Sequence, residues 1–263
     1  MPRPHILVTN DDGIHAKGIK HLWEALRNIV DITVVAPSGE QSAVSLSTTI
    51  RNPLRVEEIH WENGNNIWSV SGTPTDCVKM AFNAITKDKK PDYVFSGFNR
   101  GSNAGRNVLY SGTVAAAIES VMQNVPAIAF SCQDYHTEPN YAEAAKYVPT
   151  FLQYLMEHPL PPGTLLNINF PDRKHQKYKG FKMTKQGRQW WAENPDKRIH
   201  PAEGNPYYWL GSKLHFDQEN ADTDGAWLEK GYITIVPIHV ADLTDTEHLE
   251  EKRALLEKAF KEL

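Results

Sequence analysis

"HILVTNDDGIHAKG", residues 5–18, is a run of β-forming residues that stops at two adjacent aspartates and a glycine, then resumes as a different pattern. His5 to Thr9 is short and nearly continuously apolar, the composition of a strand covered on both faces. Gly13 permits a sharp turn, and from Ile19 to Asn28 apolar residues return at helical spacing. Strand, acidic turn and helix make the opening unit of an α/β sheet.

The same alternation continues outward. "DITVVAP", "YVFSG", "AIAFS" and "TLLNINF" are further candidate strands, separated by helical patterns over Thr75–Ile85, Thr113–Asn124 and Tyr141–His158. In the first of these, Val78, Ala81, Phe82 and Ile85 share a stripe, with Thr75 as the expected N-cap. The prediction is a Rossmann-like three-layer α/β sandwich with a mostly parallel sheet. "LRVEEIHWENGNNIWSVSG" alternates with period two around Asn63-Gly64 and reads as a β-hairpin at the sheet edge. Residues 172–220 are irregular and rich in Lys, Gly, Pro and aromatics, an arm or lid. A last strand, "GYITIVPIHV", precedes a terminal helix whose Leu249, Leu256, Phe260 and Leu263 form an apolar stripe. That helix docks on its own core or on a neighbouring subunit. One domain over 1–263 is expected, with a core of about 1–171 and 221–242, an arm of about 172–220 and a C-terminal helix of about 245–263.

Bulk composition narrows the function. With 263 residues, 40% hydrophobic and 23% charged, the chain suits one main core. A formal net charge of -4, without a basic block, argues against a nucleic-acid polymer as partner. Cys77 and Cys132 sit singly in apolar segments, as buried thiols do. The first residues reach two carboxylates before a leader-like apolar region develops, and no apolar run has membrane length, so a cytoplasmic protein is expected.

Ligands in open α/β sheets gather beyond the carboxyl ends of the strands. Asn10, Asp11, Asp12 and Gly13 lie there after the first strand. Two carboxylates at a turn either converge on a hard divalent cation such as Mg²⁺ or Mn²⁺, or form a surface turn with one aspartate capping the next helix. The second strand offers Ser38, Gln41, Ser42 and Ser45. Beyond the next, Asn99 and Asn103 precede Ser111-Gly112-Thr113, which opens an alanine-rich helix. A helix start bearing hydroxyls is an anion site, or simply an N-cap. No Walker A loop or G-x-G-x-x-G fingerprint occurs. The adjacent Asp-Asp also differs from the D-x-D of haloacid-dehalogenase-type phosphatases, which disfavours a covalent aspartyl-phosphate.

"NDDGIHAKGI", "VVAPSGEQSAVSLS", "VSGTPTDCV", "FSGFNRGSNAGRNVLYSGTVAAAIE", "NINFPD" and "TDGAWLEKGYITIVPIHVADLT", in this order, resemble the SurE family, the survival protein E nucleotidases, across most of the chain. The resemblance implies a Rossmann-like core that hydrolyses nucleoside monophosphates with one divalent ion per subunit, and homo-dimers or tetramers built through carboxyl-terminal elements. By motif position it implies metal ligation by Asp11, Asp12, Ser42 and Asn103, and phosphate binding by Asn99, Ser111, Gly112 and Thr113. Ser38 stands where the family commonly has Asp, and Phe98 where Ile is commoner, changes that bear on pocket shape.

The expected chemistry is 5′-nucleotidase hydrolysis by metal-assisted attack of water, with Asp11 and Asp12 as the central carboxylates. Hydrolysis of other small phosphate esters or short polyphosphate, and a non-catalytic nucleotide-binding stress protein, are the alternatives. His5, His15 and Tyr110 are the general-acid candidates nearest in sequence. Asp76 is expected to be structural, at a helix start. Trp190, Trp191, Tyr207, Tyr208 and Trp209 either seal a subunit interface or stack a base.

Overall fold

The computed structural model describes residues 3–135, 138–172, 174, 177–192, 195–210, 213–215 and 222–261. The first half contains β1 (His5–Thr9), α1 (Lys17–Leu26), β2 (Asp31–Pro37), β3 (Val56–Glu58), β4 (Ile67–Val70), α2 (Pro74–Met80), β5 (Tyr93–Arg100) and α3 (Gly112–Met122). There follow β6 (Ala127–Cys132), α4 (Tyr141–Ala145), α5 (Val148–Glu157), β7 (Thr164–Phe170), β8 (Phe181–Met183), β9 (Trp190–Ala192), β10 (Asp196–Ile199), β11 (Pro206–Trp209), β12 (Lys213–His215), α6 (Asp224–Glu229), β13 (Ile233–His239) and α7 (Thr246–Lys261).

The main sheet runs β3-β4-β2-β1-β5-β6-β7-β13-β8. From β4 to β7 every pairing is parallel, β3 returns antiparallel on β4, and β13 is antiparallel to β7. Both faces are covered, as the continuous hydrophobicity of the strands predicts. Ile6 and Val8 of β1 belong to a core shared with α1, α4 and α5, while Leu7, pointing the other way, joins the core under α2 and α3. Cys77 and Cys132 are buried free thiols.

Local chemistry moves three of the expected boundaries. The cap of α2 is Thr73, whose hydroxyl accepts from the Asp76 N–H while Asp76 accepts from the Thr73 N–H; Thr75 lies inside the helix. The third helical segment splits into α4 and α5, and Pro149 in the first turn of α5 explains the break, since it supplies no N–H to a continuing helix. The hairpin forms at the predicted edge, but its tight turn is bracketed by Trp61 and Gly64, so Glu62 and Asn63 are the central pair and Asn63 takes the positive φ of 59°.

In the arm, β8 adds to the edge of the main sheet beside β13, β10 pairs with β11, and β9 pairs with β12. Tyr207, Tyr208 and Trp209 are exposed along β11. Helix α7 is exposed from Thr246 to Ala259, with Leu255 and Leu256 at 65% and 75% accessible, so over those residues it is not seated on its own core. Phe260 and Leu263 of the expected stripe lie outside the side chains described.

Candidate active site

Three loops at the carboxyl ends of β1, β2 and β5 are tied together by main-chain bonds. Asn10 Nδ2 donates to the Gly13 carbonyl, 3.0 Å, which shapes the acidic turn. The Gln41 N–H donates to the Asp11 carbonyl, 2.7 Å, joining the first loop to the second, and the Ser45 N–H donates to the Tyr110 carbonyl, 3.0 Å, joining the second to the third. Ala43 and Ser45 adopt positive φ angles of 55° and 52°, a costly conformation for residues with a Cβ that the surrounding bonds hold in place.

These loops enclose a cavity of about 750 Å³ lined by Asp11, Asp12, Ser42, Asn99, Asn103 and Ser111, six of the eight residues expected from sequence. Gly112 and Thr113 stand behind it. The Thr113 N–H donates to Asp11 Oδ2, 3.0 Å, and the Thr113 hydroxyl to Oδ1. A Cβ built on Gly112 would lie 2.8 Å from the Asp11 Cβ. The positive end of α3 is therefore occupied by the chain's own Asp11 carboxylate and not left open to an incoming phosphate. Ser111 caps the helix, its Oγ accepting from the Val114 N–H at 3.1 Å, which leaves its O–H as a donor.

Burial pushes Asp11 above the ordinary carboxylate range, against the donors from Thr113 and Gly112. Asp12 is pushed up to about 7, first by burial and then by the charge of Asp11, with the Arg100 N–H donating to its Oδ2 at 3.1 Å in partial opposition. Two carboxylates that disfavour their own ionisation this strongly form a site that a cation would relieve.

Asn103 is fixed from three sides. Its Nδ2 donates to Ser131 Oγ at 2.7 Å, its N–H to Asn169 Oδ1 at 2.8 Å, and its carbonyl accepts from Asn167 Nδ2 at 2.9 Å. With Nδ2 engaged, Oδ1 is the atom left for a ligand. One hydrogen of Asn99 Nδ2 goes to the Gly101 carbonyl at 2.7 Å, and the second remains for an anion. The Ser42 hydroxyl donates to Glu40 Oε1 at 2.5 Å. All four donors implied for a metal are oxygens, two charged and two neutral, the set a hard divalent cation takes. Among the described residues no group of three or more His, Cys, Asp or Glu is placed to bind a metal, so any ion here depends on Ser42 and Asn103 as well as the aspartates.

Sequence reasoning missed several contributors. Glu40 and Glu138 add two more carboxylates to the lining. Asn167 and Asn169 sit fully buried on β7, and their alternation in the otherwise apolar "TLLNINF" is a polar signal that the motif alone did not convert into a role. Asp224, also fully buried, accepts from the N–H groups of Gly105, Gly187 and Gly225 at 2.9, 2.9 and 2.8 Å, fastening the loop that carries Asn103 to the root of the arm. Among the general-acid candidates Tyr110 lines the cavity; His15 is exposed outside the lining, and His5 lies at the other end of β1. Asp76 holds Thr49 and Thr73 and takes no place in the lining, a structural role as expected.

Comparison with known proteins places the chain among relatives of one family. Residues 6–193 match the family model described as survival protein SurE. A protein of Protochlamydia amoebophila named 5′-nucleotidase SurE is 51% identical over 256 residues, covering 97% of both chains. One of the same name from Flavobacterium psychrophilum is 42% identical, covering 90% of this chain and 92% of its own. The crystal structure of the SurE protein from Aquifex aeolicus superposes with a TM-score of 0.82 at 34% identity, over 96% of this chain and 99% of that one. A sheet of this order, a cavity built on Asp11 and Asp12, and similarity along nearly the whole length make this chain a member of the SurE family.

Proposed function

We propose that the chain is a 5′-nucleotidase that uses one divalent cation, Mg²⁺ or Mn²⁺, to hydrolyse nucleoside monophosphates to nucleoside and phosphate. The observation that carries this reading is the meeting of Asp11, Asp12, Ser42 and Asn103 with Asn99 and Ser111 on one cavity. The curated relatives bear the name 5′-nucleotidase, and the oxygen-only donor set suits the cation.

Asp11, Asp12, Ser42 Oγ and Asn103 Oδ1 would hold the ion, which when bound supplies Lewis-acid polarisation of the phosphoryl group and neutralises its charge. The chain does the rest. Asp11 is held rigidly by the start of α3, and Asn103 by β6 and β7, so both donors are placed before substrate arrives. The free N–H of Asn99 and the O–H of Ser111 are positioned to donate to phosphoryl oxygens as charge develops there. Of the three general-acid candidates, Tyr110 is the one in the lining, and so the one placed to meet the leaving oxygen.

Among the described residues no helix is long and apolar enough to cross a membrane. Buried, unpaired Cys77 and Cys132 suit a reducing compartment, so we place the enzyme in the cytoplasm. The exposed apolar side chains of α7 and β11 are assigned to contacts between copies in a homo-dimer or tetramer.

Phosphate release from nucleoside monophosphates, sugar phosphates and short polyphosphate, measured with and without chelator, tests the reading. Nucleoside monophosphates should be the best substrates, chelation should abolish release, and Asp12→Asn should lower kcat/KM by at least about 100-fold, more than loss of an outer partner. Preference for another ester, or nucleotide binding without turnover, would replace it.

A further inference from the structure

A second cavity, of about 430 Å³, lies at the amino ends of β1 and β2, the edge of the sheet opposite the aspartates. The five residues of β1 separate the two, roughly 17 Å of strand. Its volume is within the usual range for small-ligand sites.

The lining is locally basic in a chain whose net charge is -4. Arg3, Arg27 and Lys89 face it with Asp31 as the carboxylate in the wall. Lys89 Nζ stands 3.9 Å from Asp31 Oδ2, at the limit of an ion pair, and its side chain is 71% exposed. The Arg27 guanidinium lies over the Trp23 ring at 5.0 Å, a contact that anchors it, and a guanidinium is a planar group on which an aromatic ring can stack. In the wall, His5 is 8% exposed; its Nε2 meets Thr33 Oγ1 at 2.9 Å, and the ring also bonds to the Lys89 backbone. Burial and the charge of Lys89 lower the His5 pKa, so the ring adds no positive charge of its own to the wall.

We propose that this cavity binds a phosphate monoester carrying a planar ring, a nucleotide held as a ligand and not as a substrate. The cations Arg3, Arg27 and Lys89 meet the phosphate, the Arg27 face meets the ring, and Asn63, Asn65 and Asn66 of the hairpin offer amide groups to its polar edge. Among the described residues Asp31 is the wall's one acidic side chain, so the wall offers no carboxylate pair like Asp11 and Asp12.

Calorimetric titration of adenosine 5′-monophosphate into the full chain carrying Asp12→Asn should show one more binding event per subunit than the same chain also carrying Arg27→Glu and Lys89→Glu. That event should weaken at least tenfold when adenosine replaces the nucleotide. The Arg27→Glu/Lys89→Glu chain with Asp12 intact should keep its thermal midpoint and its nucleotidase rate, because neither side chain is in the core or the other cavity. Equal numbers of binding events in the two chains would overturn the proposal. So would retention of a homopolymeric RNA through Arg27 and Lys89 without any affinity for the mononucleotide.

Discussion

Asp12 shows how a binding site is paid for in the absence of its ligand. The folded chain without a cation keeps its proton up to about pH 7, whereas the unfolded chain releases it near the ordinary 3.8. Between those values the folded state binds more protons, so stability falls as pH rises: this contribution is complete below 3.8 and gone once pH passes about 7. The thermal midpoint of the chelated protein should therefore decline from pH 5 to pH 8, Asp12→Asn should flatten that decline, and Mn²⁺ should raise the wild-type midpoint more at pH 8 than at pH 5. Parallel curves for the two proteins would show that Asp12 is not the residue responsible. The Asp-Asp-Gly turn itself was legible in the sequence, because a glycine after a strand end announces it. The partners of Asp11 were not, since Thr113 stands 102 residues away and its hydroxyl could equally have faced the cavity.

At the scale of elements, α3 and the loop before it act as the mount for the site. Gly112→Ala should favour the helix by up to about 1 kcal/mol on propensity alone. Yet the added Cβ, 2.8 Å from that of Asp11, displaces the carboxylate, and a shift of this kind costs on the order of 100-fold in rate. A folded Gly112→Ala chain with unchanged kcat would refute the assigned mount. Asp224→Ala leaves three buried N–H groups without their acceptor and should cost roughly 3 kcal/mol, read as a lower denaturation midpoint. It should also raise the cation concentration needed for half activity, because Gly105 and then Asn103 lose their anchor; an unchanged requirement would make Asp224 purely structural. Periodicity revealed the strands and most helices because both faces of the sheet are apolar. It did not reveal where α4 ends, a boundary set by Pro149, nor the cap of α2, where Asp76 selects Thr73 over Thr75.

For the whole molecule, the sheet separates an acidic cavity at one edge from a basic one at the other, while its last helix leaves the core. A chain ending at Thr244 should keep its folded sheet but sediment with fewer subunits per particle than the full chain; an unchanged subunit number would take α7 out of any interface. The parallel architecture could be read from alternating strand and helix patterns. The destination of the last helix and of the aromatic arm could not, because an apolar stripe specifies burial without saying whose surface provides it. Asp11 at the mouth of α3 carries a last consequence, for turnover. Since that helix already has an internal counter-anion, inorganic phosphate leaving the cavity finds no peptide dipole to retain it, and its grip on the enzyme should rest on the cation, Asn99 and Ser111 alone.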